Sequence, residues 1–182
     1  MSNSPTLLRR EDCVLVVIDA QEKLMPVIHD KETVTENILR LVKFAGIIRL
    51  PIIVTEQKKL GPTLPEIKDA LSNYQPIEKI TFDCFGEESF RQRMAELDRS
   101  TILLCGIESH ICVCQTALTG SDAHKVQVGS DAAGSRSQHN WVIALERMRA
   151  RGVVLTSTEM LIYELLGKAG TEEFRATLPL VK

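Results

Sequence analysis

The stretch Cys13-Val-Leu-Val-Val-Ile18 is an unbroken run of apolar residues, rich in β-branched side chains. A half-exposed strand would alternate apolar and polar residues, and an amphipathic helix would break the run every turn. A continuous run of this length reads as a strand buried on both faces, at the centre of a parallel sheet. It ends at Asp19. A carboxylate just past a central strand lies where α/β enzymes place chemistry, and it is equally readable as a turn or helix-capping aspartate.

The rest of the chain alternates around that strand. Val34, Ile38, Leu41, Val42, Ala45 and Ile48 recur at three- and four-residue steps and predict an amphipathic helix, ended by Pro51. Residues 52–55 form the second strand. Residues 56–66, with Gly61, Pro62 and Pro65, read as a loop over the carboxyl end of the sheet. A short third strand over 77–80 carries Lys79, and Phe90, Met94 and Leu97 mark the next helix. The fourth strand covers 101–105 and is broken by Gly106, and a helix runs from about Ile111 to Thr119. A fifth strand over 126–130 ends at Asp131, Trp141, Ala144, Leu145 and Met148 mark a helix, and a sixth strand covers 153–155. Helices over 158–166 and 172–178 close the chain. The expected fold is α/β, a Rossmann-like three-layer α-β-α sandwich with a six-stranded, mostly parallel sheet, formed as one domain over residues 1–182.

Composition narrows the function classes. A formal net charge of −2 with no basic run argues against a nucleic-acid partner. No apolar stretch approaches the roughly 20 residues of a membrane helix, and Met1 to Arg10 lacks the apolar core of a signal peptide. Five cysteines without a disulfide-scaffold spacing suit a reducing, cytoplasmic setting. Both phosphate-cradling glycine loops are missing. His29, His110, His124 and His139 show no metal-site spacing, and Cys112-Val-Cys114 has no second pair to complete a zinc tetrad. The expectation is no metal, no cofactor and a small-molecule substrate.

Three polar residues mark strand ends: Asp19 after the first, Lys79 in the third and Cys112 past the fourth. A thiol nucleophile needs a proton acceptor, a charge that favours thiolate and donors for an oxyanion. Asp19 and Lys79 fit the first two needs, and the start of a helix at Cys112 adds backbone N–H groups and a positive dipole end. Each residue also has a plainer reading, Cys112 as a small core residue and Lys79 as a solvated charge. A pairing of Cys112 with His110 is a further arrangement the residues permit.

The segments Val-Val-Ile-Asp19-Ala-Gln21, Glu78-Lys79 and Gly106-Ile-Glu-Ser-His-Ile-Cys112-Val, in that order, resemble the isochorismatase-like cysteine hydrolase superfamily. Thr55-Glu56-Gln57, Lys79-x-x-Phe82 and Asp131-Ala-Ala-Gly-Ser-Arg136 are most similar to its YcaC-related branch, with the isochorismatase-domain-containing proteins. The resemblance spans Cys13 to about Leu165. It implies an Asp19, Lys79, Cys112 triad and a cis peptide between Ile107 and Glu108, with the backbone N–H groups of Glu108 and Cys112 as the oxyanion donors. It also implies a homo-oligomer. The chain departs from nicotinamidase-type members, because residues 56–60 hold no metal-binding histidine. It departs from true isochorismatases by carrying the cysteine. The expected activity is thus metal-free cleavage of a C–N bond in a small amide through a thioester on Cys112. The competing reading is a redox or scaffold protein that uses Cys112 and Cys114 without hydrolytic turnover.

Leu24, Met25, Phe82 and Phe85 are candidate pocket walls or plain core. Glu108 and His110 are candidates for substrate or subunit contact. Gln21 orients either Asp19 or the loop, and Arg136 binds an anion or pairs with a carboxylate.

Overall fold

In the computed structural model, residues 7–182 are described; the first six, part of the stretch examined above for a signal peptide, lie outside the described residues. The central strand β1 (Cys13–Ile18) is buried at every position. Hydrogen-bonded to it are β2 (Ile52–Gln57) on one side and β4 (Thr101–Ile107) on the other. With β3 (Ile77–Lys79), β5 (Lys125–Gly134) and β6 (Val154–Thr156), they form one sheet in the order β3-β2-β1-β4-β5-β6. Every pairing is parallel.

The alternation along β1 divides the core in two. Cys13, Leu15 and Val17 face a cluster built with α1 (Lys31–Ile48), α6 (Thr158–Leu166) and α7 (Glu172–Val181). Val14, Val16 and Ile18 face a second cluster built with α3 (Glu88–Leu97), α4 (Cys114–Gly120) and α5 (Gln138–Ala150). Both faces of the strand are therefore apolar because both are covered, at about 1.5–3 kcal/mol for each fully buried Val, Leu or Ile. In α1 the periodic residues Val34, Ile38, Leu41, Val42, Ala45 and Ile48 are all buried. Arg49, in the left-handed conformation, closes that helix before Pro51.

Three local expectations are corrected. Gly106 does not break the fourth strand. It pairs with Ile18 of β1 and Ala133 of β5, and the strand continues to Ile107. β5 runs past Asp131 to Gly134, across a register irregularity opposite Leu104 and Gly106. The loop after β2 contains a short helix, α2 (Pro65–Asp69). Proline at the first helical position starts a helix there, because that position lacks an N–H acceptor in any case.

Gly106 adopts φ +117°, and a Cβ at this position would lie 2.0 Å from the carbonyl oxygen of Ile18. The next nearest atoms, the Ile18 nitrogen and carbonyl carbon, are backbone too and cannot swing aside, so the end of β4 lies this close to β1 only with glycine. Gly46, exposed on α1, has nothing within 4 Å of such a Cβ. Gly106→Ala is expected to lose about 3 kcal/mol or more of stability. Gly46→Ala is expected to gain about 0.5–1 kcal/mol. Urea denaturation of the two variants beside the parent chain measures both.

Candidate active site

The carboxyl ends of β1 to β4 bring the polar groups together. Asp19 follows β1 with φ 51°, its N–H donating to the Thr55 carbonyl at 3.2 Å. Thr55, in β2, donates its Oγ1 to Asp19 Oδ1 at 2.8 Å. Lys79 ends β3, and its Nζ lies 2.7 Å from Asp19 Oδ2. Both side chains are 0% exposed. Oδ2 has no hydrogen-bond partner beyond this ion contact. The ammonium also donates to Gln57 Oε1 at 2.6 Å, with the carbonyls of Thr81 and Phe82 at 3.2 and 3.4 Å.

Cys112 lies in a π-helical turn, Ser109–Val113, between β4 and α4. It is buried beside the ion pair. Burial first, then the Asp19 carboxylate, push the thiol up to about 12, and Lys79 offsets them only in part. Lys79 thus favours the thiolate, as expected of it, while desolvation and the carboxylate work the other way. For Lys79, burial opposes the charged form, but Asp19 outweighs it and holds the ammonium above its ordinary value.

A cavity of about 200 Å³ opens over Cys112 and Asp19, walled by Leu24, Leu60, Phe82 and Ile111, with Gln57, Glu108 and Arg136 completing the lining. Phe82 is half exposed at this site. A separate cavity of about 230 Å³, walled by His29, Asp131 and Trp141 among others, holds none of the three strand-end groups. The Ile107–Glu108 peptide is cis. The buried Glu108 carboxylate accepts from Arg136 Nη2 at 2.6 Å, from its Nε at 3.1 Å and from its backbone N–H at 3.0 Å. Burial works against this carboxylate, yet Arg136 outweighs it and holds Glu108 below the ordinary carboxylate value.

Other candidates fall elsewhere. Gln21 is buried and grips the backbone of Gln57 and Gly61, so of its two readings it orients the loop. His110 turns to Ser135 Oγ at 2.9 Å and is not in the cavity wall. Phe85 lies edge-on to Phe90 at 5.1 Å and against His124, away from the cavity, because the turn Cys84–Gly86 directs it into the helical layer. Met25 belongs to the core beside α1. Cys114 is packed in the opposite core cluster, and all five cysteines are free. Among the described residues, no group of three or more His, Cys, Asp or Glu is arranged to hold a metal. The sequence reading missed Thr55 and Gln57 as contacts of the ion pair. Their signal was two polar residues spaced by two at the end of an apolar strand.

Residues 13–160 match the isochorismatase domain. The chain belongs to the isochorismatase-like hydrolase family. Among the members of this family, isochorismatase domain-containing protein 2 of Bos taurus is 35% identical over 173 residues, covering 93% of this chain and 82% of that protein. A secreted isochorismatase effector of Phytophthora sojae is 35% identical over 176 residues, covering 93% of this chain and 84% of the effector. The structure of MAR1 ribonuclease from Caenorhabditis elegans superposes with a TM-score of 0.89 at 30% identity, covering 97% of this chain and 92% of that one. YcaC of Escherichia coli, described as an octameric hydrolase of unknown specificity, shares the fold at 21% identity, with a TM-score of 0.88 over 99% of this chain and 89% of its own.

In this isochorismatase-family chain, Arg136 is the cation that neutralises a buried carboxylate. Arg136→Ala is expected to destabilise the fold at neutral pH by about 1–2 kcal/mol, less than for a fully buried pair because Arg136 is 57% exposed. With its pKa held low, Glu108 contributes stability above its ordinary value and loses it as pH falls through the lower folded one. The gap between variant and parent should therefore narrow in acid, which denaturation across a pH series measures.

Proposed function

We propose that this chain is a metal-independent cysteine hydrolase that cleaves a C–N bond of a small amide, with Cys112 as nucleophile, Asp19 as proton carrier and Lys79 as its charged partner. The reading rests on one observation, a thiol and a carboxylate lining one small cavity, with a buried ammonium 2.7 Å from the carboxylate. The resting thiol fits a mechanism in which the proton leaves only as the attack occurs. Asp19 takes the Cys112 proton while sulfur attacks the amide carbonyl, and the backbone N–H groups of Glu108 and Cys112 receive the oxyanion. Asp19 passes the proton to the nitrogen as the C–N bond breaks and the amine leaves. Water then attacks the thioester, giving a proton to Asp19. The acid departs, and the proton returns to sulfur.

The substrate favoured by the walls is uncharged and partly apolar. Leu24, Leu60, Phe82 and Ile111 offer hydrocarbon, and Arg136, the only basic residue in the wall among the described residues, is occupied by Glu108. The same features argue against a polyanion, although a 30% identical relative bears the name ribonuclease. The redox reading lacks support, since Cys112 and Cys114 are unbridged and Cys114 is core-packed. A homo-oligomer is part of the proposal, in keeping with the octamer described for YcaC. Five free thiols fit a reducing compartment such as the cytoplasm. No helix among the described residues is long and apolar enough to cross a membrane.

A panel of neutral aliphatic and aromatic amides, ureido acids and a single-stranded RNA tests the reading. Turnover of a neutral amide is expected, falling by about a thousandfold or more in Cys112→Ala. Full turnover in that variant overturns the nucleophile, and RNA cleavage with inert amides overturns the substrate class.

A further inference from the structure

Gln57, the last residue of β2, lies between the cavity and the Lys79 ammonium. Its Nε2 donates to the Ile80 carbonyl at 2.8 Å, and its Oε1 accepts from Lys79 Nζ at 2.6 Å. An ammonium only donates, so the amide has one workable orientation: the oxygen faces Lys79 and the nitrogen faces the carbonyl. The backbone of Gln57 is fixed in turn. Gln21 Oε1 accepts from its N–H at 2.8 Å, and Gln21 Nε2 donates to its carbonyl at 3.0 Å. Gln21 is fully buried. Its amide thus grips one residue of β2 from both sides, past the point where β1 itself ends.

Two positions on each strand supply the arrangement. β1 leads into Asp19 and Gln21, and β2 carries Thr55 and Gln57, each pair two residues apart. Thr55 holds the carboxylate and Gln57 the ammonium, so each member of the ion pair has its own hydrogen bond from β2. Glu56, between them, faces the other way and accepts from Thr63 and Tyr74. This is the alternation expected of a strand.

We infer that Gln57 is a positioning residue for Lys79 and that Gln21 keeps Gln57 in place. The inference rests on the hydrolase reading above. Without the Gln57 oxygen, the ammonium keeps the Thr81 and Phe82 carbonyls and has Asp19 as its remaining side-chain partner. It is then drawn more tightly onto the carboxylate that must take the Cys112 proton. Around Lys79 stand Asp19 from the end of β1, Cys84 and Glu87 from the segment before α3, and Cys112 from the turn after β4. Glu108 and Arg136 lie across the cavity, paired to each other. None of these supplies the neutral acceptor that Gln57 does.

The test reads the thiol without a substrate. Alkylation of Cys112 by iodoacetamide, quantified on its peptide, is followed from about pH 6 to about pH 10 in the parent, Gln57→Leu, Gln57→Glu and Gln21→Leu, with melting temperatures alongside. Gln57→Leu is expected to alkylate severalfold faster at about pH 8, with its profile moved to lower pH, because an ammonium drawn onto Asp19 relieves the carboxylate's push on the thiol. Gln57→Glu adds a second carboxylate and should slow the reaction and move the profile to higher pH. Gln21→Leu should move the profile to lower pH by a smaller factor. Profiles that superimpose on the parent's, whatever the melting temperatures do, overturn the inference. If Gln57→Leu does not fold, Gln57→Glu decides by the same criterion. Failure of the hydrolase reading looks different: turnover in the parent that survives Cys112→Ala, or no amide turnover at all, while the alkylation profiles still decide Gln57.

Discussion

The Asp19–Lys79 ion pair is the interaction on which the rest depends. Two opposite charges, each fully shielded from water, lie 2.7 Å apart. Desolvating such a pair costs several kcal/mol per ion, and their attraction repays this only when the remaining donors and acceptors are met. Here they are met by neighbours from two strand ends: Thr55 on the carboxylate, and Gln57 with the Thr81 and Phe82 carbonyls on the ammonium. At Cys112 burial is the largest influence on the thiol, with the Asp19 carboxylate adding to it and Lys79 opposing it. The arrangement suits a cysteine that gives up its proton in concert with attack rather than one stored as thiolate.

The sheet makes that pair possible. β1 lies between β2 and β4, with β3 beside β2, so residues from distant parts of the chain end side by side at one edge. The close approach of β4 to β1 at Gly106 sets the path of the chain into Glu108 and the turn that carries Cys112. Arg136, just past β5, then locks the Glu108 side chain from across the sheet. The cavity is thus framed by segments that leave the strand ends, and the Leu24 and Leu60 loops among them are tied together by Gln21 and Thr63.

Much of this was legible in the residue order. The unbroken run 13–18 announced a strand covered on both faces, and the step pattern of α1 announced its buried face, because both depend on local periodicity. Strand ends were less legible. Gly106 reads as a breaker in isolation, and only its pairing with Ile18 and Ala133 shows that the strand continues. Phe82 and Phe85 look alike in sequence, yet one walls the cavity and the other packs against Phe90, since a single turn between them reverses direction. Gln57 stood out only as part of a family-like segment, because an amide's role becomes readable only when its two ends are seen to have different partners.

By itself, the sequence determined the α/β class, the family and three polar side chains at strand ends, since these follow from patterns within short windows and from motif order. The tertiary structure alone decided that Asp19 and Lys79 are paired out of water, that the thiol beside them is buried, and that Glu108 is already taken by Arg136. Those are matters of distance and desolvation between residues far apart in the chain, and no local pattern encodes them.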